Sequence, residues 1–189
     1  MQAEPKRSSD EPERVTPVPS FAGLYKSHFA FVWRNLRRLG VPEARLRDAA
    51  QDAFLVVHRR LSEFEGRGTV QAWLYSIVRR VAADHRRHIS RKSPSVPEPA
   101  DGLSDETNPD PEDQAARGEE MRLLLQLLEE LDPDRRELLI LVDLEGLSVT
   151  EGAAVLGCNL NTAFSRLKSA RQHMQTGLER YRANEGRAQ

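Results

Sequence analysis

The sequence predicts an all-α protein: two small helical domains joined by an acidic flexible linker, the second containing a helix-turn-helix. Three observations predict this. Apolar residues recur at three- and four-residue steps through two separate stretches, and no segment of useful length keeps the two-residue period of a strand. Between the stretches lies SPSVPEPADGLSDETNPDPEDQ, residues 93–114, rich in proline and acid and almost without apolar side chains. The chain has 189 residues, 39% hydrophobic and 30% charged, as expected of a soluble protein. No apolar run approaches the ~20 residues of a membrane span, and the charged, Pro-rich N-terminus has no h-region of a signal peptide. A cytoplasmic protein without membrane insertion of its own is expected. The single cysteine, Cys158, excludes an internal disulfide.

Residues 1–20 are expected to be a disordered tail, because Pro5, Pro12, Pro17 and Pro19 interrupt every possible element. Helical spacing starts at Phe21 and continues through Leu24, Tyr25, Phe29, Val32, Leu36 and Leu39 to Gly40. Pro42 opens a second helix whose core stripe is Leu46, Ala49, Ala50, Ala53, Phe54, Val57 and Leu61. A tight FEGRG loop follows, then a third helix from about Val70 to Ile89 with Trp73, Leu74, Ile77, Val78 and Val81 inward. Beyond the linker a Leu-rich helix is expected over 115–131, and Asp132-Pro133 supplies the N-cap and first position of another over 133–144. In residues 148–174, Ser148 and Glu151 form a capping box, Gly157 stops the first helix and Asn159 caps the second. On that second helix Leu160, Ala163, Phe164, Leu167, Ala170 and Met174 are assigned to the buried stripe, with Asn161, Thr162, Ser165, Arg166, Lys168 and Ser169 opposite. Those polar side chains suit base edges and phosphates; an αα-hairpin with an ordinary solvated face fits the same pattern. Residues 179–189 are left as a C-terminal tail.

The formal net charge of −1 conceals a segregated layout. Residues 21–92 carry 15 Lys/Arg against 6 Asp/Glu, while 93–120 carry 1 against 9. A basic module is therefore tethered by an acidic segment to a nearly neutral one, which points to a polyanionic partner for the first. On the third helix Arg79, Arg80, Arg86 and Arg87 fall on one ridge, where like charges cost stability unless an anion such as DNA phosphate compensates them. The second helix presents Asp48, Gln51, Asp52 and Leu55 opposite its core, an apolar centre with a polar rim; a small protein-binding patch and a casually exposed leucine both fit. His85 and His88 lack the Cys or carboxylate set of a metal site, and no phosphate loop or nucleophile with a partnered base occurs. No metal, cofactor or enzymatic activity is expected.

Taken together, DAAQDAFLVVHRRLSEF, FEGRGTVQAWLYSIVRRVAADHRR and LDPDRRELLILVDLEGLSVTEGAAVLGCNLNTAFSRLKSAR resemble the extracytoplasmic-function (ECF) sigma factors of bacterial RNA polymerase, over about residues 21–92 and 115–178. The resemblance implies a first domain that binds core RNA polymerase and opens the −10 promoter element, and a second that reads the −35 element. It implies polymerase binding by Asp48, Gln51, Asp52 and Leu55. It gives −10 contact to the loop Phe64, Glu65, Gly66, Arg67, Gly68 and Thr69, and to Arg79, Arg80, Asp84, His85, Arg86 and Arg87. It places −35 contact on Asn161, Thr162, Ser165, Arg166, Lys168 and Arg171. Promoter DNA, core polymerase and an anti-sigma factor are the implied partners. Gly152 and Ala163 stand where the family usually has larger aliphatics, so a trimmed core is expected there. Two other functions remain open on the residues alone: a free-standing helix-turn-helix regulator that dimerises through 21–92, and a helical adaptor that binds only protein.

Overall fold

The computed structural model describes residues 20–66, 68–91 and 111–188. The expected N-terminal tail except Ser20, most of the expected linker and Arg67 lie outside the described residues. Among the described residues there are seven α-helices and no strand: α1 Phe21–Arg38, α2 Glu43–Arg60, α3 Val70–Arg91, α4 Pro111–Glu129, α5 Pro133–Leu139, α6 Val149–Leu156 and α7 Leu160–Ala188. Local chemistry sets most of the boundaries. The Ser20 hydroxyl caps α1 by accepting from the Gly23 N–H, Asp132 caps α5 through the Arg135 N–H, and Ser148 and Glu151 complete the reciprocal capping box of α6. Gly157 ends α6 at φ +67°, in the left-handed region open to glycine, and Asn159 Oδ1 accepts from the Thr162 N–H at 2.8 Å to start α7.

Two boundaries differ from the sequence reading. Helix α4 begins at Pro111, inside the expected linker, because proline's fixed backbone angle suits a first helical position. Helix α7 runs on to Ala188, through the segment expected to be a tail. The helix expected over 133–144 is also not uniform. It turns from α into a π turn over Ile140–Leu144, closed by a Glu145 N–H bond to the Ile140 carbonyl at 2.9 Å.

Helices α1 to α3 pack together, α5 to α7 pack together, and the two groups share one continuous core. Leu36, Leu46, Leu74 and Val78 belong to it from the first group, and Leu138, Ile140, Leu141 and Leu167 from the second. Helix α3 lies against α6 and α1 against α4. At this junction Tyr75 is fully buried and its hydroxyl donates to the Glu137 carbonyl at 3.5 Å. Arg136, 8% exposed, donates to the Glu129 and Leu131 carbonyls and so satisfies the end of α4. Gly152 is no hole in this core: a Cβ there would stand 2.9 Å from Leu138 Cδ1, so its small size permits the close approach of α5 and α6. Ala163 is likewise fully enclosed. The expected trimmed core is instead a tight helix crossing.

Candidate nucleic-acid interface

Helix α2 presents Asp48, Gln51, Asp52 and Leu55 to solvent, with Leu55 46% exposed. Asp48 lies 3.7 Å from Arg45, and Asp52 lies 2.9 Å from His85 Nε2 on α3, tying the strip to the basic helix. Beside it runs an apolar groove of about 540 Å³ between α1 and α2, lined by Phe21, Tyr25, Phe29, Trp33 and Phe54 and also by Gln51 and Leu55. The sequence reading placed Phe21, Tyr25 and Phe29 in the helical apolar spacing of the first helix without separating exposed from buried positions. In the structure Tyr25 is 43% exposed, and Phe29 stacks on Phe54 with centroids 6.0 Å apart. Five aromatics on α1, four of them at four-residue steps on one face, exceed what a three-helix core encloses, which was the available signal for an interface.

The loop after α2 turns through Gly66 at φ +72° and Gly68 at φ +81°. Phe64 corrects the expectation of a base-facing loop residue: it is 5% exposed and packs on Trp73 at 5.2 Å between centroids. It anchors the loop from beneath. Thr69 accepts the Ala72 N–H and starts α3. Ser148 chiefly holds the Glu151 carboxylate below the usual glutamate range, with a lesser contribution from the Thr69 hydroxyl. The expected arginine ridge on α3 is divided. Arg79 donates to Glu137 at 2.6 Å, Arg87 pairs with Asp84, and Arg86 lies beside the turn at Gly40. Arg80 remains exposed.

On α7 the buried line is Ala163, Leu167 and Ala170. Asn161, Ser165 and Lys168 face outward and Thr162 is half-buried. Arg166 pairs with Asp134 at 2.5 Å, and Arg171 makes a two-pronged contact with Asp143 at 2.7 and 2.9 Å. Two residues assigned to the buried stripe are not buried. Leu160 is 42% and Phe164 53% exposed, because they sit on the flank of a helix whose core contact is narrow.

Two family models match this chain: Sigma-70 region 2 over residues 24–92 and Sigma-70 region 4 over 121–174. The ECF RNA polymerase sigma factor SigC of Mycobacterium tuberculosis is 33% identical over 132 residues, covering 70% of this chain and 69% of SigC. The chain belongs to the ECF RNA polymerase sigma factors. Its likeness to the ECF sigma-E factor of Escherichia coli K12 is 30% over 149 residues, covering 74% of this chain and 76% of that protein. In three dimensions it is similar to CnrH, solved in complex with the cytosolic domain of CnrY, with a TM-score of 0.62 and 26% identity over 84% of this chain and 87% of CnrH. It therefore functions in transcription initiation as an alternative sigma factor, with DNA and RNA polymerase as its working partners. Among the described residues no helix is long and apolar enough to cross a membrane.

In this sigma factor one short stretch inside region 4, residues 134–145, supplies the acids that meet five of its arginines. Asp134, Glu137, Asp143 and Glu145 engage Arg166, Arg79, Arg171 and the pair Arg34 and Arg38, respectively. Glu145 is held most completely, its side chain 2% exposed and accepting from Arg34 Nη2 at 2.6 Å, Arg38 Nη1 at 2.5 Å and Asn35 Nδ2 at 3.1 Å. Burial raises the Glu137 carboxyl above the usual glutamate range despite its Arg79 partner. The π turn separates Asp143, aimed at α7, from Glu145, aimed at α1. Sequence reasoning missed these contacts, which join residues from 28 to 111 positions apart.

Proposed function

We propose that residues 21–92 form the polymerase-binding and −10-reading domain and residues 115–178, extended by the observed helix ends, the −35-reading domain. Asp48, Gln51, Asp52 and Leu55 contact the polymerase together with the aromatic groove beside them. The loop 64–69 and the α3 residues Arg79, Arg80, Asp84, His85, Arg86 and Arg87 meet the −10 element, with Phe64 as the loop's internal anchor. Asn161, Thr162, Ser165, Arg166, Lys168 and Arg171 meet the −35 element, as expected where the N-terminal turns of a recognition helix enter a major groove. The observation that carries this reading is the segregation of faces: a polar strip with an exposed leucine beside an open aromatic groove on α2, and cationic or polar side chains on α3 and α7.

The protein acts without catalysis of its own and within the compartment of the polymerase. Arg79, Arg166 and Arg171 are bonded to carboxylates here, so promoter engagement exchanges these internal partners for phosphates and bases. An anti-sigma factor is the expected inhibitor; the sigma factor RpoE of Bartonella quintana, of similar fold at 22% identity, is solved with the anti-sigma factor NepR. The test is transcription of a fragmented genomic library by purified core RNA polymerase with and without the protein. New transcripts sharing two spaced elements upstream of their start sites are expected. Sequence-specific DNA binding by the protein alone, with no new transcripts, would overturn the reading in favour of a free-standing regulator.

A further inference from the structure

Phe164 is the most exposed large apolar side chain among the described residues, and it stands in the second turn of the helix proposed to read the −35 element. It belongs to neither the buried core nor the half-buried side chains packed against it. Its flank runs into the outward face: Asn161 is three residues before it and Lys168 four after, and both are exposed. An exposed phenylalanine between an amide and an ammonium has a matching surface in the DNA major groove. The thymine C5-methyl is the one apolar group displayed there, beside the base acceptors and phosphates that Asn161 and Lys168 can meet. We infer that Phe164 is a specificity-determining residue of the −35 contact, packing on a thymine methyl while its polar neighbours bond the surrounding edges and backbone. This rests on the proposed placement of α7 in the groove.

The methyl can be removed without touching the protein. Holoenzyme assembled from core RNA polymerase and the full chain is used to select from a randomised duplex library, prepared once with thymidine and once with deoxyuridine throughout. The wild-type protein is expected to enrich thymine at one position of the upstream element. On the selected duplex, replacing that thymine by uracil should weaken binding about fourfold, the worth of one buried methyl group. Phe164→Ala should bind the thymine and uracil duplexes equally, with unchanged polymerase co-purification and unchanged helical content, since the ring is outside the core. Phe164→Leu should retain part of the preference. A thymine-over-uracil preference that persists in Phe164→Ala overturns the inference. So does a variant whose defect lies in polymerase binding, which would make the ring a protein contact. Failure of the wild-type holoenzyme to select any sequence would instead fall on the proposed function.

Discussion

Replacing Glu145 by alanine should open the protein without unfolding either half. The Glu145 carboxylate bonds Arg34, Asn35 and Arg38 of α1, all across the junction between the two helix groups. Its loss therefore falls on closure. The Arg34 side chain is 45% exposed, so water replaces much of what it loses and its arm is worth at most about 1 kcal/mol. Arg38 is 14% exposed, and stranding it in the closed form should cost about 2 kcal/mol more, while Asn35 keeps its bond to the Phe31 carbonyl. The total of about 3 kcal/mol shifts the ratio of open to closed forms by roughly a hundredfold. Small-angle scattering would register a larger radius of gyration, and a fluorescent mixed-sequence duplex would bind more tightly as Arg79 becomes available. Because the Arg34 contact faces solvent, rising salt should also open the wild type to a smaller degree. Arg38→Glu should open the chain in the same way, and combining it with Glu145→Arg should restore compaction. A Glu145→Ala protein as compact as wild type, with the same affinity for the duplex, would refute the idea that these bonds hold the two halves together.

Three further outcomes are expected. Asp52→Arg should abolish co-purification with core polymerase while circular dichroism stays unchanged, because the side chain is 57% exposed and loses only its His85 contact; normal co-purification would remove Asp52 from the polymerase surface. Gly152→Val should lower the stability of the helix-turn-helix half by about 1–3 kcal/mol in urea unfolding, through overpacking against Leu138; an unchanged midpoint would show that the crossing is loose. The raised pKa of Glu137 means that the folded state holds its proton more tightly than the unfolded chain, so stability should fall as pH rises from the ordinary glutamate range through that raised value. Glu137→Gln should flatten this part of the melting-temperature profile. Glu151 acts in the opposite sense: its pKa is lowered, chiefly by Ser148, so its contribution is present above the ordinary range and lost as pH falls through the depressed value.

Sequence alone determined the helices, because helix formation is local. The Ser148–Glu151 box, Gly157 and Asn159 act within four residues of themselves, and the structure has them in those roles. The exposed strip Asp48, Gln51, Asp52 and Leu55 was legible for the same reason, since a wheel drawn through Leu46, Ala49, Ala53 and Val57 leaves those positions outside. Periodicity alone did not settle which apolar side chains remain outside. Phe164 and Tyr25 lie on the shoulders of their stripes, and whether a shoulder is covered depends on how many helices pack there and at what crossing. Phe64 was misplaced in the other direction: its loop neighbours are polar or glycine, but Trp73 on the next helix receives its ring.

Tertiary structure decided where the charges go. From sequence the arginines of α3 form an uncompensated ridge and the second module is merely close to neutral. The fold brings Glu137 to Arg79 and Glu145 to Arg34 and Arg38. Ion pairing depends on distances of a few ångströms between side chains remote along the chain, set by the α3–α6 and α1–α4 packing and by the π turn that aims Asp143 and Glu145 at different helices. Caps and apolar stripes specify each helix from its own neighbourhood, whereas the pairing of charges across the junction exists only once the helices are packed.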